Sequence, residues 1–284
     1  MHETLDDRVD PAVRDYLRAL GTRPDEDIDL AETALQLALL RQPHTPLEPF
    51  RKLMAAIAER VAARAEEDGA TSLVGRVEAL RGVIAGEHGF TGDRANYDDL
   101  QNASLIRVLD RRKGLPITLC ILYLHVARSL GWGAHGLAFP GHFLIALDGI
   151  GGRMVLDPFE DGALRETPDL RALVKQMQGP AAELEPEHYA SASNRAILTR
   201  LQNNIRTRLV RLGQFADALL SAEAVTWFSP HDAGAWRDMG MIHAEMGNLR
   251  AAVMTLEESL TCDDRPSRRH VTAALIQKLR TRLN

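Results

Sequence analysis

Cysteine is nearly absent: the 284 residues include two, Cys120 and Cys262, far apart and outside any CxxC spacing. That pair builds neither a disulfide framework nor a zinc cluster, so any thiol chemistry rests on one cysteine. A basic excess is also missing. The 34 Lys+Arg stand against 39 Asp+Glu, a formal charge of −5 at pH 7, which gives no electrostatic reason to expect nucleic acid or an anionic membrane as partner. No apolar run approaches the roughly 20 residues that cross a bilayer. Met1–Asp10 carries acids where a secretory leader needs a basic and then an apolar region, so the sequence predicts a cytoplasmic protein. What is present is ordinary globular composition, 45% hydrophobic and 26% charged, enough for a sizeable core without staples.

The first half reads as helices. Ile28, Leu30, Ala34, Leu35, Ala38 and Leu39 recur at mixed three and four spacing, predicting a helix over 27–40, punctuated by Pro43 and Pro46. Two further helices are predicted over 47–67 and 72–87, each with an apolar stripe and a charged outer face, the pattern of a supporting layer.

The middle changes character. A polar loop over 89–102 leads to a short helix over 103–111, then to Lys113-Gly114-Leu115-Pro116 and a long apolar run to Leu130. Pro116 suits the first turn of a helix. That helix is apolar on nearly every side, as a buried central helix is. Gly131 stops it. Three β-compatible segments follow, 134–139, 142–147 and 153–156, separated by Pro140-Gly141 and by a glycine-rich turn, which predicts an antiparallel meander.

The last third is helical again and repeats: Gly213 and Gly247, like Ala218 and Ala252, are 34 residues apart. This is the period of tetratricopeptide helix pairs. Two such units and a terminal helix over 271–282 are too few for a free-standing array. A Pro- and Glu-containing stretch over 179–187 is the expected boundary.

One constellation carries chemistry: Cys120 on the central helix, His142 opening a strand, and Asp157 ending the next strand. A thiol needs a base to become thiolate, and the base needs a carboxylate to hold its tautomer. Each residue also has a plain structural role: a small buried hydrophobe, a hydrogen-bonded strand histidine, and a turn-forming Asp before Pro158. His125, His135, His142 and Asp157 are the concentrated metal-ligand types, but no pair has the i, i+4 spacing of a helical zinc site, so no metal and no other cofactor is expected. The basic residues Arg265, Arg268, Arg269, Lys278, Arg280 and Arg282 read as a solvated helix face, because few aromatics interleave with them.

Several strings together resemble the bacterial SirB family of transglutaminase-like proteins: Asn102-Ala103-Ser104-Leu105, Arg112-Lys113-Gly114-Leu115-Pro116-Ile117-Thr118-Leu119, Phe139-Pro140-Gly141-His142-Phe143-Leu144 and Leu156-Asp157-Pro158-Phe159. Arg237-Asp238-Met239-Gly240 is similar to the same family's second half. The resemblance implies an α+β fold: an N-terminal helical layer, a papain-like or transglutaminase-like core with a central helix packed on a small antiparallel sheet, and C-terminal tetratricopeptide-like α-helical repeats. The expected divisions are 1–26, a tail or short helix; 27–180, the transglutaminase-like domain; and 187–284, the repeat region.

In active members of that superfamily the nucleophilic Cys opens the central helix, about 15 residues before its terminal Gly, and here Pro116 stands at that place. Pro116 has neither a thiol nor an N–H for an oxyanion. His142 and Asp157 match the other two triad positions. Cys120 lies four residues further along, about 6 Å deeper at 1.5 Å rise per residue, where the helix N-terminal field has faded and apolar burial raises a thiol pKa. Thr118 is a second hydroxyl-bearing possibility, more suited to a cap or core role. The sequence therefore points to a non-catalytic protein-interaction or regulatory protein with a protein or peptide partner. Asn102, Pro116, Thr118, Pro140, Gly141, Phe143, Pro158 and Phe159 are expected to line its residual cleft. The alternative is a cysteine-dependent amide hydrolase or acyltransferase using Cys120, His142 and Asp157. A third reading has His142 and Asp157 activating water.

Overall fold

The computed structural model describes residues 8–67 and 72–283; most of the acidic N-terminal stretch, residues 1–7, lies outside the described residues. Two compact units are formed. One comprises Asp29–Ala38 and Thr45–Ile197, the other the segment ending at Ile28, Leu39–His44 and the chain from Leu198 onward.

After α1 (Pro11–Leu20), which belongs to the second unit, the first unit opens with α2 (Leu30–Leu39). The spacing predicts a start at Asp27, but Asp25–Asp27 makes a separate 3-10 turn. Asp29 then restarts the chain by accepting the Glu32 N–H at 2.9 Å. Next, α3 (Glu48–Glu67) buries Met54, Ile57, Ala58, Val61 and Ala65 along one stripe. Ser72 caps α4 (Leu73–Arg81). The expected helix continues to Glu87, but its last part, Gly82–Glu87, widens to a π-turn across Gly82 and Gly86, which carry no side chain to hold the tighter coil.

Two short strands, β1 (Thr91–Gly92) and β2 (Lys113–Gly114), pair in parallel on either side of α5 (Leu105–Arg111). Pro116 then starts α6 (Pro116–Ser129), as its fixed φ and missing N–H favour. Eleven α6 residues are buried, Cys120 and Tyr123 among them, so this is the central helix the apolar run implies.

The sheet is a meander of β3 (Gly133–Leu137), β4 (Ile145–Gly149) and β5 (Gly152–Asp157), extended by the short edge strands β6 (Ala163–Leu164) and β7 (Ser191–Ala192) in the order β6-β5-β4-β3-β7. All neighbours in this sheet are antiparallel. On it packs α7 (Thr167–Gln178), not foreseen above although Leu170, Leu173, Val174 and Met177 recur at helical spacing. Its Leu170 and Val174 meet Leu137, Phe139, Leu144, Ala146 and Val155. Each such fully buried large side chain contributes about 1.5–3 kcal/mol.

In the second unit, α8 (Asn194–Arg211, apart from its first turn), α9 (Phe215–Phe228), α10 (Ala233–Glu245), α11 (Leu249–Cys262) and α12 (Pro266–Leu283) follow one another. Helices α9 and α11 start 34 residues apart, each just after a left-handed glycine, Gly213 at φ 71° or Gly247 at φ 77°. The helical repeat is thus real in the backbone. The last helix begins five residues before the expected Val271, because its first turn, Pro-Ser-Arg-Arg-His, is polar and gives no apolar period. Among the described residues, no helix is long and apolar enough to cross a membrane.

Candidate functional site

His142 and Asp157 come together. His142 Nε2 lies 2.9 Å from Asp157 Oδ1. A carboxylate only accepts, so Nε2 carries the proton and Nδ1 is left as the basic nitrogen of the neutral ring. The sequence places His142 at the start of a strand, but β4 begins three residues later, and His142 sits in the bend after Pro140-Gly141. Gly141 adopts φ 72°, and a Cβ there would come within 2.8 Å of Met177. This turn is what swings the imidazole towards the end of β5, where Asp157 stands as expected.

Asp157 is almost fully buried, and it also accepts the Phe159 N–H at 3.2 Å and Arg165 through Nη2 at 2.8 Å and Nε at 3.2 Å. Burial pushes its carboxyl up. The hydrogen bonds and charges of His142 and Arg165 outweigh that and hold it below the ordinary carboxylate value. Arg165 was not foreseen. Its connection runs across the β5–β6 hairpin, where Asp157 pairs with Ala163, and no one-dimensional spacing encodes it.

Phe159 walls the pair, its ring edge-on to His142 with centroids 6.3 Å apart and edge-on to Tyr97 at 5.7 Å. Arg94 lies over the same ring at 5.6 Å and pairs with Glu160. Gly92 permits this packing, since a Cβ there would fall 2.5 Å from Phe159. Pro158 is buried at the head of the following 3-10 turn.

Cys120 is fully buried, and its Sγ donates to the Phe143 carbonyl at 3.4 Å. That contact uses the neutral thiol, because a thiolate has no proton to give and would be repelled by the carbonyl oxygen. Pro116, one turn earlier, occupies the first position of α6.

Asn102 and Thr118 form a separate cluster. Both are fully buried, and the Asn102 carbonyl accepts the Thr118 hydroxyl at 2.9 Å and the Leu115 N–H at 3.0 Å. The Asn102 side chain accepts from Arg111 at 2.9 Å and donates to the Asn96 carbonyl at 2.7 Å, while Arg111 reaches the buried Asp93 at 3.2 Å. Burial pushes Asp93 up, yet the bonds from Asn96, Asn102 and Arg111 leave it below its ordinary value. This network tethers the start of α6.

Residues 48–203 match the family model described as the transglutaminase-like superfamily. A UPF0162 protein of Vibrio cholerae is 34% identical over 78% of this chain and 83% of its own. A UPF0162 protein of Xylella fastidiosa is 29% identical over 82% and 84%, and SirB1 of Salmonella typhimurium is 29% identical over 66% and 71%. Among solved structures, the crystal structure of menin aligns over 88% of this chain and 69% of its own at 11% identity and a TM-score of 0.37, a likeness too distant to carry an argument. The sequence strings, the central helix with its small sheet and these relatives agree, and the chain belongs to the transglutaminase-like superfamily, within the family of SirB1 and the UPF0162 proteins.

Proposed function

We propose that this chain is a non-catalytic protein-interaction or regulatory protein, built on a transglutaminase-like core that has lost its nucleophile and retains a cleft for a polypeptide. One observation carries the reading. The first position of α6 holds Pro116, and the nearest thiol lies one turn deeper, buried and donating to the Phe143 carbonyl. The helical repeats add a polypeptide-sized surface. A cavity of about 460 Å³ between α8 and α10 is lined by Val210, Phe215, Met241 and Ile242, beside an Arg206–Asp238 ion pair. The acidic balance of the chain argues against nucleic acid and anionic membrane as partners.

The test is alkylation of Cys120 in a Cys262→Ser background, with and without His142→Ala. The expected result is a thiol inert until the protein unfolds. Fast alkylation below pH 7 that disappears with His142→Ala, or a hydrolase or acyl-transfer activity abolished by Cys120→Ala in folded protein, overturns the reading.

A second reading, a cysteine-dependent amide hydrolase or acyltransferase using Cys120, His142 and Asp157, is favoured by the intact His142–Asp157 pair and by the seating of Cys120 against the residue next to His142. Water activation by His142 and Asp157 is separable from it, since activity would then survive Cys120→Ala and vanish with His142→Ala.

A further inference from the structure

A second cavity, of about 500 Å³, opens between β5, β6 and the start of α7. Its volume falls in the range of small-molecule sites, about 300–1,000 Å³. Met154, Val155, Leu164 and Leu170 give it an apolar wall. Its polar groups are unequally engaged. Arg153 is held by Asp148 at 2.8 Å and by the Tyr189 carbonyl at 3.2 Å. Glu166 donates its backbone N–H to the Asp169 carboxylate at 2.9 Å at the start of α7, and its own carboxylate is exposed. Arg165 spends Nε and Nη2 on Asp157. Its third nitrogen, Nη1, and the exposed Thr167 hydroxyl have no hydrogen-bond partner among the described residues. A charged donor and a neutral hydroxyl thus stand unspent beside an apolar wall.

We propose that this cavity binds a small organic anion, a carboxylate or phosphate monoester with an apolar body, whose head meets Arg165 Nη1 and the Thr167 hydroxyl while its body lies on Met154, Val155 and Leu164. The guanidinium is planar and presents its donors in a fixed fork, so it can hold Asp157 on one edge and a second anion on the other. Asp157 in turn holds His142. Occupation of the cavity is therefore felt at the His142 ring through one shared carboxylate. This binding goes beyond the function proposed above and holds whether the cleft is catalytic or not.

The experiment uses the full chain with phenylacetate and phenyl phosphate as probes and 2-phenylethanol as the neutral comparison. Calorimetry measures affinity and NMR follows the His142 ring nitrogens. A hydrogen bond to a charged group is stronger than one to a neutral group, so at least one anionic probe is expected to bind about tenfold or more tighter than 2-phenylethanol. The bound probe shifts the His142 ring signals. Thr167→Trp, at an exposed position off the Asp157 contacts, narrows the mouth. It is expected to weaken the probe about tenfold while leaving the ligand-free His142 signals in place. Arg165→Lys, which loses the fork, is expected to abolish binding. Equal affinity for the neutral probe, no saturation by either anion, or unchanged affinity in folded Thr167→Trp overturns the proposal. Should Arg165→Lys fail to fold, the neutral comparison and Thr167→Trp still decide it.

Discussion

Asp157 Oδ2 lies 2.8 Å from Arg165 Nη2, so the carboxylate that orients His142 is itself held by a guanidinium from across a hairpin. Asp157 is 1% exposed and Arg165 23%. Removing one partner of a buried, hydrogen-bonded charge pair costs about 3–5 kcal/mol, and the part-exposed guanidinium, which recovers some hydration, places Asp157→Asn near the lower end. Urea unfolding is the measurement. A loss below about 1 kcal/mol would mean that the pair contributes no more than a surface ion pair.

Acid should act through the same carboxylate. Asp157 and Asp93 both have folded-state pKa values below the ordinary 3.8. Their stabilisation is fully present above the unfolded value and is lost as pH falls through the folded ones, because the unfolded chain then takes up protons first. The urea midpoint should therefore be insensitive to these groups above about pH 5 and fall as pH drops below about 4, the ordinary carboxylate value. Asp157→Asn should flatten that fall. An unchanged slope in the variant would mean that other groups carry the acid sensitivity.

Asp157 and Arg165 differ in how far the sequence reveals them. Asp157 was legible because a carboxylate ends a β-compatible run before Pro158, and α3 and α6 were legible from their apolar periods and the Pro and Gly residues that punctuate them. Arg165 was not, since a hairpin pairing sets its distance. β6 and β7 are two residues each, too short for alternation to register. Asn102 and Thr118 were expected beside the cleft because they fall in the family strings. Their actual partners are the Asn102 carbonyl, Asn96 and Arg111, contacts that only the fold reveals.

Gly92 tests the wall of the site. A Cβ on it would fall 2.5 Å from both the Phe159 carbonyl and its ring, and the carbonyl cannot swing aside as a side-chain tip can. Overpacking of this kind costs about 1–3 kcal/mol. Gly92→Ala should lower the thermal midpoint and move the His142 ring signals, because Phe159 stands edge-on to that imidazole. Destabilisation with an unmoved His142 would show that Phe159 does not position the ring.

Gly240 tests the helical repeat in the second unit. It lies in the middle of α10, where Gly costs about 1 kcal/mol relative to Ala by helix preference, so preference alone makes Gly240→Ala stabilising. Packing argues the other way: the added Cβ would fall 2.5 Å from Leu256 Cγ, 2.9 Å from its Cδ2 and 3.1 Å from Thr255 Oγ1. Leu256 is fully buried between helices and has no room to retreat. The overpacking cost of about 1–3 kcal/mol should exceed the gain. Leu256→Ala alone should cost about 2–5 kcal/mol through the cavity it leaves. Combined, the two should cost less than their sum by about 1 kcal/mol, since the alanine methyl at 240 then enters space the leucine vacated. A double-mutant cycle in urea measures this coupling directly. Strict additivity would mean that α10 and α11 are not held at the close approach that the missing side chain of Gly240 allows.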